Sequence, residues 1–282
     1  MKAIRSLALF AAATVLMAGS ASADGMRRSI NDAPAAEKPR CTFSANTALT
    51  TEYVFRGFSQ SAEGAAVQGG FDATCGIFYA GVWASSLNWS DINPTAPAIA
   101  NNNATVEMDW YLGIKPVTGP VTWDLGVIYY TYPNARRFTT GGNNEYVELK
   151  LGASGEIWKK GTLGGTVYYS PEYQYNTGNV WTLEGSFAQE LPKLGMFTPT
   201  FSALLGYQTS NDRPRYSVLF GNGDTNYMYW NAGLTFAFAE KWSVDVRYWD
   251  TNLSGKSGGS AFCNGNIFQC DERIVGTLKF TF

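Results

Sequence analysis

An all-β fold, a transmembrane up-and-down barrel of about twelve antiparallel strands, is what this sequence predicts, on three observations. From Thr42 onward, apolar and polar residues alternate in segments of roughly ten residues, the period-2 signature of strands with one apolar face. The connections between segments alternate short and long, as in outer-membrane barrels with short periplasmic turns and longer external loops. Within the segments, charge falls on the parity opposite to the apolar residues. That suits lipid outside and water inside, because a lipid-facing Lys or Arg near the bilayer midplane costs about 2–4 kcal/mol.

The chain opens on MKAIRSLALFAAATVLMAGSASAD, with two early cations, an apolar run and then Ala21-Ser22-Ala23, the small-x-small pattern a signal peptidase cuts after. Residues 1–23 therefore read as a signal peptide. No later stretch approaches the roughly 20 apolar residues of a spanning helix, so the membrane question rests on strands. Residues 24–40, DGMRRSINDAPAAEKPR, are polar and aperiodic; they read as a flexible periplasmic leader, with a lumen plug as the alternative. Residues 41–282 form the barrel.

Its segments run at about 42–57, 65–74, 77–87, 104–115, 121–132, 144–154, 162–172, 179–190, 199–209, 227–238, 242–252 and 272–282. The first carries Phe43, Ala45, Thr47, Leu49, Thr51, Tyr53 and Phe55 on its apolar parity, and the fourth Val106, Met108, Trp110, Leu112 and Ile114. Later segments follow suit, with Val121, Trp123, Leu125, Val127 and Tyr129, then Trp181, Leu183, Gly185 and Phe187, then Trp242, Val244, Val246 and Tyr248. Only 77–87, IFYAGVWASSL, leaves its facing open. A soluble sandwich would show the same alternation with the faces inverted. Two features favour lipid outside. Twelve strands enclose more interior than side chains easily fill apolarly, and the outward aromatics sort into two girdles. Phe55, Tyr129, Tyr169, Trp181, Tyr207, Trp230 and Tyr248 lie near long loops, and Trp123, Phe187, Phe201, Trp242 and Phe280 near short turns; such belts mark two membrane interfaces.

The stretch TTEYVFRGFSQSAEGAAVQGGFD, followed by FYAGVWASSLNW, VEMDWYLGI and WDLGVIYYTYPN, resembles the TorF family of proteobacterial porins from about Thr42 to Phe282. YVFRGFSQ, AVQGGFD and FYAGVWAS are its most specific portions. The resemblance implies an outer-membrane barrel that passes small solutes, and the family name brings no transported substrate with it. The four cysteines and the leader have no counterpart in the family pattern.

Composition excludes several functions. The chain has no histidine, which removes Ser-His-Asp chemistry and the usual zinc sets, so no catalytic residue, metal or cofactor is expected. Loss of Lys2 and Arg5 with the signal takes the 21 basic residues to 19 against 23 acids, a net charge of −4, so nucleic acid is not an expected partner. Cys41, Cys75, Cys263 and Cys270 are even in number in an exported chain, and disulfides outrank metal. Cys41 begins the first strand and Cys75 sits in the first short turn, while Cys263 and Cys270 share one long loop. Pairing within each half is the natural geometry; free thiols or crossed pairing remain alternatives.

The candidate solute-facing residues are the charges of the inward parity: acids Glu52, Asp72, Glu107, Asp109, Asp124, Glu148, Glu184 and Asp245, and bases Arg56, Lys150, Arg247, Arg273 and Lys279. Surplus carboxylates lining a pore attract cations; the alternative is that these groups pair and simply fill the interior. Arg56 is expected at the outer rim, and Arg136-Arg137 beside Phe138 lie in a long loop. There they either bind anionic lipopolysaccharide or fold inward. The sequence therefore predicts a narrow passive channel for small hydrophilic solutes in the outer membrane of a Gram-negative bacterium. The alternative is a structural or adhesive barrel with a closed lumen. The final RIVGTLKFTF reads as the strand that closes the sheet against the first. Its terminal Phe282 resembles the signal read by the outer-membrane assembly machinery, and Arg273 and Lys279 are expected near opposite ends of the pore.

Overall fold

Period-2 strands with β-branched and aromatic residues on one side, separated by Gly-, Asn- and Lys-containing turns, satisfy their backbone groups only by pairing with neighbours, and a sheet of this size removes its own edges by closing. The computed structural model describes residues 41–89, 104–133, 135, 143–212, 225–253 and 270–282. Twelve strands build the wall: β1 (Thr42–Thr50), β2 (Ala66–Cys75), β3 (Phe78–Ser86), β4 (Val106–Ile114), β5 (Val121–Thr131), β6 (Tyr146–Trp158), β7 (Gly161–Ser170), β8 (Val180–Glu190), β9 (Thr198–Ser210), β10 (Asn226–Phe238), β11 (Trp242–Thr251) and β12 (Arg273–Thr281). Each pairs antiparallel with its sequence neighbour, and β12 returns to β1 with Asn46 opposite Thr281 and Thr50 opposite Thr277. The barrel is closed and up-and-down.

The parity rule sets which way the wall faces. Leu112 is 61% exposed, Leu151 50% and Ile274 72%, part of a continuous outward belt with Phe43, Phe71, Leu163 and Val246. Inward neighbours such as Glu148 and Asp245 are buried. On β3, the strand the sequence leaves open, Phe78 and Ala80 face out, while Tyr79 donates a hydrogen bond to Asp124 and Ser85 is buried.

One element departs from expectation. The first strand ends at Thr50 instead of continuing to residue 57, and residues 51–65 leave the sheet and cross the interior. Tyr53, expected to face out, is 2% exposed inside, and Phe55 packs edge-on against Tyr130 of β5. Arg56, expected at the end of the first strand, sits on this inward loop. The alternation that reads as strand in YVFRGFS has no ladder behind it: Thr50 is the last residue of β1 paired to both β2 and β12.

At the long-loop end, the interior holds an aromatic core. Trp89 stacks near Tyr132 at 4.7 Å, Tyr130 lies 4.3 Å from Tyr146, and Tyr146 lies 4.6 Å from Tyr173. Burial among these rings pushes the Tyr173 phenol above its ordinary value. At the short-turn end, Cys41 and Cys75 are bridged, with Cα atoms 4.3 Å apart, tying the start of β1 to the end of β2. Cys270 is also disulfide-bonded; its expected partner Cys263 lies outside the described residues, as do residues 1–40 and Arg136-Arg137.

Candidate functional site: the barrel interior

The interior divides into paired charges and carboxylates held by tyrosine. Arg56 reaches from the inward loop to β6, where its Nη1 and Nη2 donate to Glu148 Oε1 and Oε2 at 2.7 and 2.8 Å, with both side chains almost wholly buried. The guanidinium also lies 4.8 Å from the Phe55 ring centre and 5.0 Å from that of Tyr168, contacts that favour a cation. Tyr130 completes the Glu148 carboxylate at 3.0 Å. Arg273 pairs closely with Glu52, joining β12 to the start of the loop. On β11, Arg247 and Asp245 meet at 2.9 Å, and Arg247 also donates to Asn231 and Ser202. Lys150 donates to Asp124 at 2.7 Å, and Lys115 approaches the same carboxylate at 3.8 Å. Burial lowers the Lys115 ammonium from its ordinary value, and Asp124 opposes that shift. Lys279 sits near the other end of β12 from Arg273, facing Ala48 and Ser243 in register.

Four of the eight inward acids have no ion pair among the described residues: Asp72, Glu107, Asp109 and Glu184. Three of them accept from tyrosine hydroxyls, Asp72 from Tyr111 at 2.5 Å, Glu107 from Tyr53 at 2.6 Å and Glu184 from Tyr229 at 2.6 Å. Asp109 Oδ1 is buried with no hydrogen-bond partner among the described residues. The geometry behind two of these pairs repeats. Tyr229, Gly206 and Glu184 lie in register across β10, β9 and β8, and Tyr111, Gly81 and Asp72 across β4, β3 and β2. In each, the phenol ring lies over the central glycine to reach the acid two strands away. A Cβ on Gly206 would meet the Tyr229 ring at 2.1 Å, and one on Gly81 the Tyr111 ring at 2.6 Å. A tyrosine donor orients a carboxylate without cancelling its charge.

Below the loop, a cavity of about 40 Å³ is lined by Lys115, Asp124, Lys150, Thr166, Tyr168 and Glu184. Among the described residues, no group of three or more His, Cys, Asp or Glu side chains is arranged to hold a metal ion.

Sequence reasoning nominated thirteen of these fourteen charges and not Lys115; it also missed two larger features, the tyrosine partners and the inward loop. Both left a trace. The first predicted strand is several residues longer than its neighbours, and Tyr79, Tyr111 and Tyr229 occur on the inward parity, where an aromatic needs a polar partner for its hydroxyl.

A closed sheet with an apolar outer belt and a charged, partly filled interior defines a porin-like β-barrel. Of solved structures, the KdgM porin shares this fold with a TM-score of 0.50 over 85% of this chain and 99% of its own, at 10% identity. The NanC porin gives 0.48 over 86% and 99%, at 11%. At such identities the likeness is one of fold. The chain belongs to the family described as bacterial protein of unknown function (Gcw_chp), whose profile matches residues 34–282. No curated protein matches the sequence.

Proposed function

We propose that this protein is an outer-membrane channel for passive diffusion of small hydrophilic solutes, with a preference for cations. The observation that carries the reading is the distribution of charge: an apolar outer surface surrounds an interior in which Asp72, Glu107, Asp109 and Glu184 keep carboxylates with no ion pair among the described residues, while Arg56, Arg247, Arg273 and Lys150 are each paired to an acid. Carboxylates lining a narrow aqueous path raise the local concentration of cations and repel anions. Size exclusion comes from the twelve-strand circumference and from residues 51–65. No chemical step, cofactor or energy source enters this reading. The resemblance to TorF-family porins, and the porin fold of KdgM, point the same way.

The outward belt supports insertion into the outer membrane, with lipid and lipopolysaccharide as surroundings. The strand ending at Phe282 supports recognition by the assembly machinery. Residues 1–23 serve as the export signal and 24–40 as a leader on the periplasmic side.

A second reading, a barrel whose lumen stays shut, is favoured by the packing of residues 51–65. Planar-bilayer recordings decide between them, using refolded wild type and a variant with residues 53–62 replaced by Gly-Gly. Discrete conductance steps from the wild type support the channel, and steps from the shortened variant alone favour the closed barrel. Membranes that stay tight with both, although gel mobility shows folded barrels, overturn it in favour of the closed barrel.

A further inference from the structure

The loop that narrows the interior carries its own network of hydrogen bonds. Val54–Phe55 pairs with Phe58–Ser59 as a miniature hairpin. Gln60 N donates to Tyr53 O at 2.7 Å, Tyr53 N to Ser61 Oγ at 2.9 Å, Glu63 N to Ser59 Oγ at 3.0 Å and Ser61 Oγ to Gly64 O at 2.6 Å. Its links to the wall differ between base and tip. At the base, Asn88 N donates to Gln60 O, the Trp89 indole donates to Gln60 Oε1, and Arg273 holds Glu52. At the tip, the contacts are made through side chains: Arg56 to Glu148, Phe55 edge-on to Tyr130, Phe58 edge-on to Tyr227, and Tyr227 Oη–H to Arg56 O at 3.1 Å.

The tip is also strained and tight. Arg56 has φ 48° and Gly57 φ 87°, and near the base Ala62 and Glu63 have φ 51° and 58°. Non-glycine residues adopt the left-handed region at an energetic cost, and such strain marks segments with an alternative conformation. Gly57 lies so close to β11 that a Cβ there would meet Thr251 Cγ2 at 2.3 Å.

From this pattern, and resting on the channel reading above, we propose that residues 51–65 are a gate and not a fixed constriction. The hairpin keeps its internal hydrogen bonds, stays anchored at Glu52 and Gln60, and latches its Arg56–Gly57 tip on Glu148 when shut. When the tip swings off the wall, it uncovers Glu148 and the neighbouring Glu184, so opening both widens the path and strengthens its attraction for cations. A fixed constriction would be tied to the wall by backbone ladder bonds along its length; this one is not.

Two substitutions weaken the latch by different physics. Glu148→Gln keeps the shape and removes the charge that holds Arg56. Gly57→Ala keeps every charge and wedges the tip away from Thr251. Single-channel recordings of wild type are expected to show switching between a low and a high conductance. Both variants are expected to raise the time spent in the high level about tenfold or more, since removing one member of a buried pair is strongly unfavourable to the paired state. The Gly-Gly replacement of 53–62 is expected to hold the high level permanently. The gate is overturned, with the channel intact, if wild type, E148Q and G57A share one steady level, whether or not the shortened loop conducts more. If all four proteins leave membranes tight, the channel reading itself fails. Unboiled gel mobility, which reports the folded barrel, separates either result from misfolding.

Discussion

Arg247 and Asp245 sit two residues apart on one face of β11, and each has lost nearly all its water. Their charges are tolerated because the guanidinium meets the carboxylate, Asn231 and Ser202, and Thr235 donates to Asp245 at 2.6 Å. Removing one member strands the other in a dry interior. Arg247→Ala is therefore expected to cost about 3–5 kcal/mol, read as a lower urea midpoint for the folded barrel. Replacing both residues by apolar ones of similar volume is expected to recover most of that loss. An unchanged midpoint in the single variant would show that the site is wetter than its burial indicates. The same logic bears on the tyrosines: a phenol donor gives a buried carboxylate a hydrogen bond where no counter-ion stands beside it.

A strand carries information on two parities of one period, and the barrel uses both. Leu149 and Leu151 of β6 are each 50% exposed on the outer belt, while Glu148 and Lys150, which alternate with them, point inward to Arg56 and Asp124. A cation is welcome on one parity and excluded from the next. Leu151→Arg is expected to cost about 2–4 kcal/mol of stability in lipid, measured by denaturant titration of barrels folded into vesicles. If it costs nothing, the belt does not lie in hydrocarbon. The loop of residues 51–65 shows where this reading breaks down. Its sequence alternates like a strand, yet its apolar residues turn inward because an aromatic interior awaits them and no neighbouring strand pairs with them beyond Thr50.

At the scale of the whole molecule, the proposed channel would take its selectivity from the balance of interior charge after pairing. Glu107, Asp109 and Glu184 lie near the loop, and none has an ion pair among the described residues. In a potassium chloride gradient, the wild-type channel is expected to show a cation-selective reversal potential. The triple variant E107Q/D109N/E184Q is expected to move it toward zero. Asp245→Asn, which alters a carboxylate already paired with Arg247, is expected to shift it less. An anion-selective wild type would refute the role given to these carboxylates.

The barrel itself was legible in sequence because each of its determinants is local or repetitive. Alternation gives the faces, turn residues give the ends, and the count of segments gives the twelve strands that the closed sheet contains. The Cys41–Cys75 bridge was legible for the same reason, since hairpin geometry brings a strand start and the next turn together. Partnerships across the lumen were not. Arg56 and Glu148 are 92 residues apart and Tyr53 and Glu107 are 54, and no spacing rule links positions that meet only when a sheet closes. What the sequence by itself determined was a wall with its polar side inward. What only the tertiary structure decided was which interior charges cancel, which persist and which loop lies between them. Closing a sheet sets distances across an interior that no local pattern encodes.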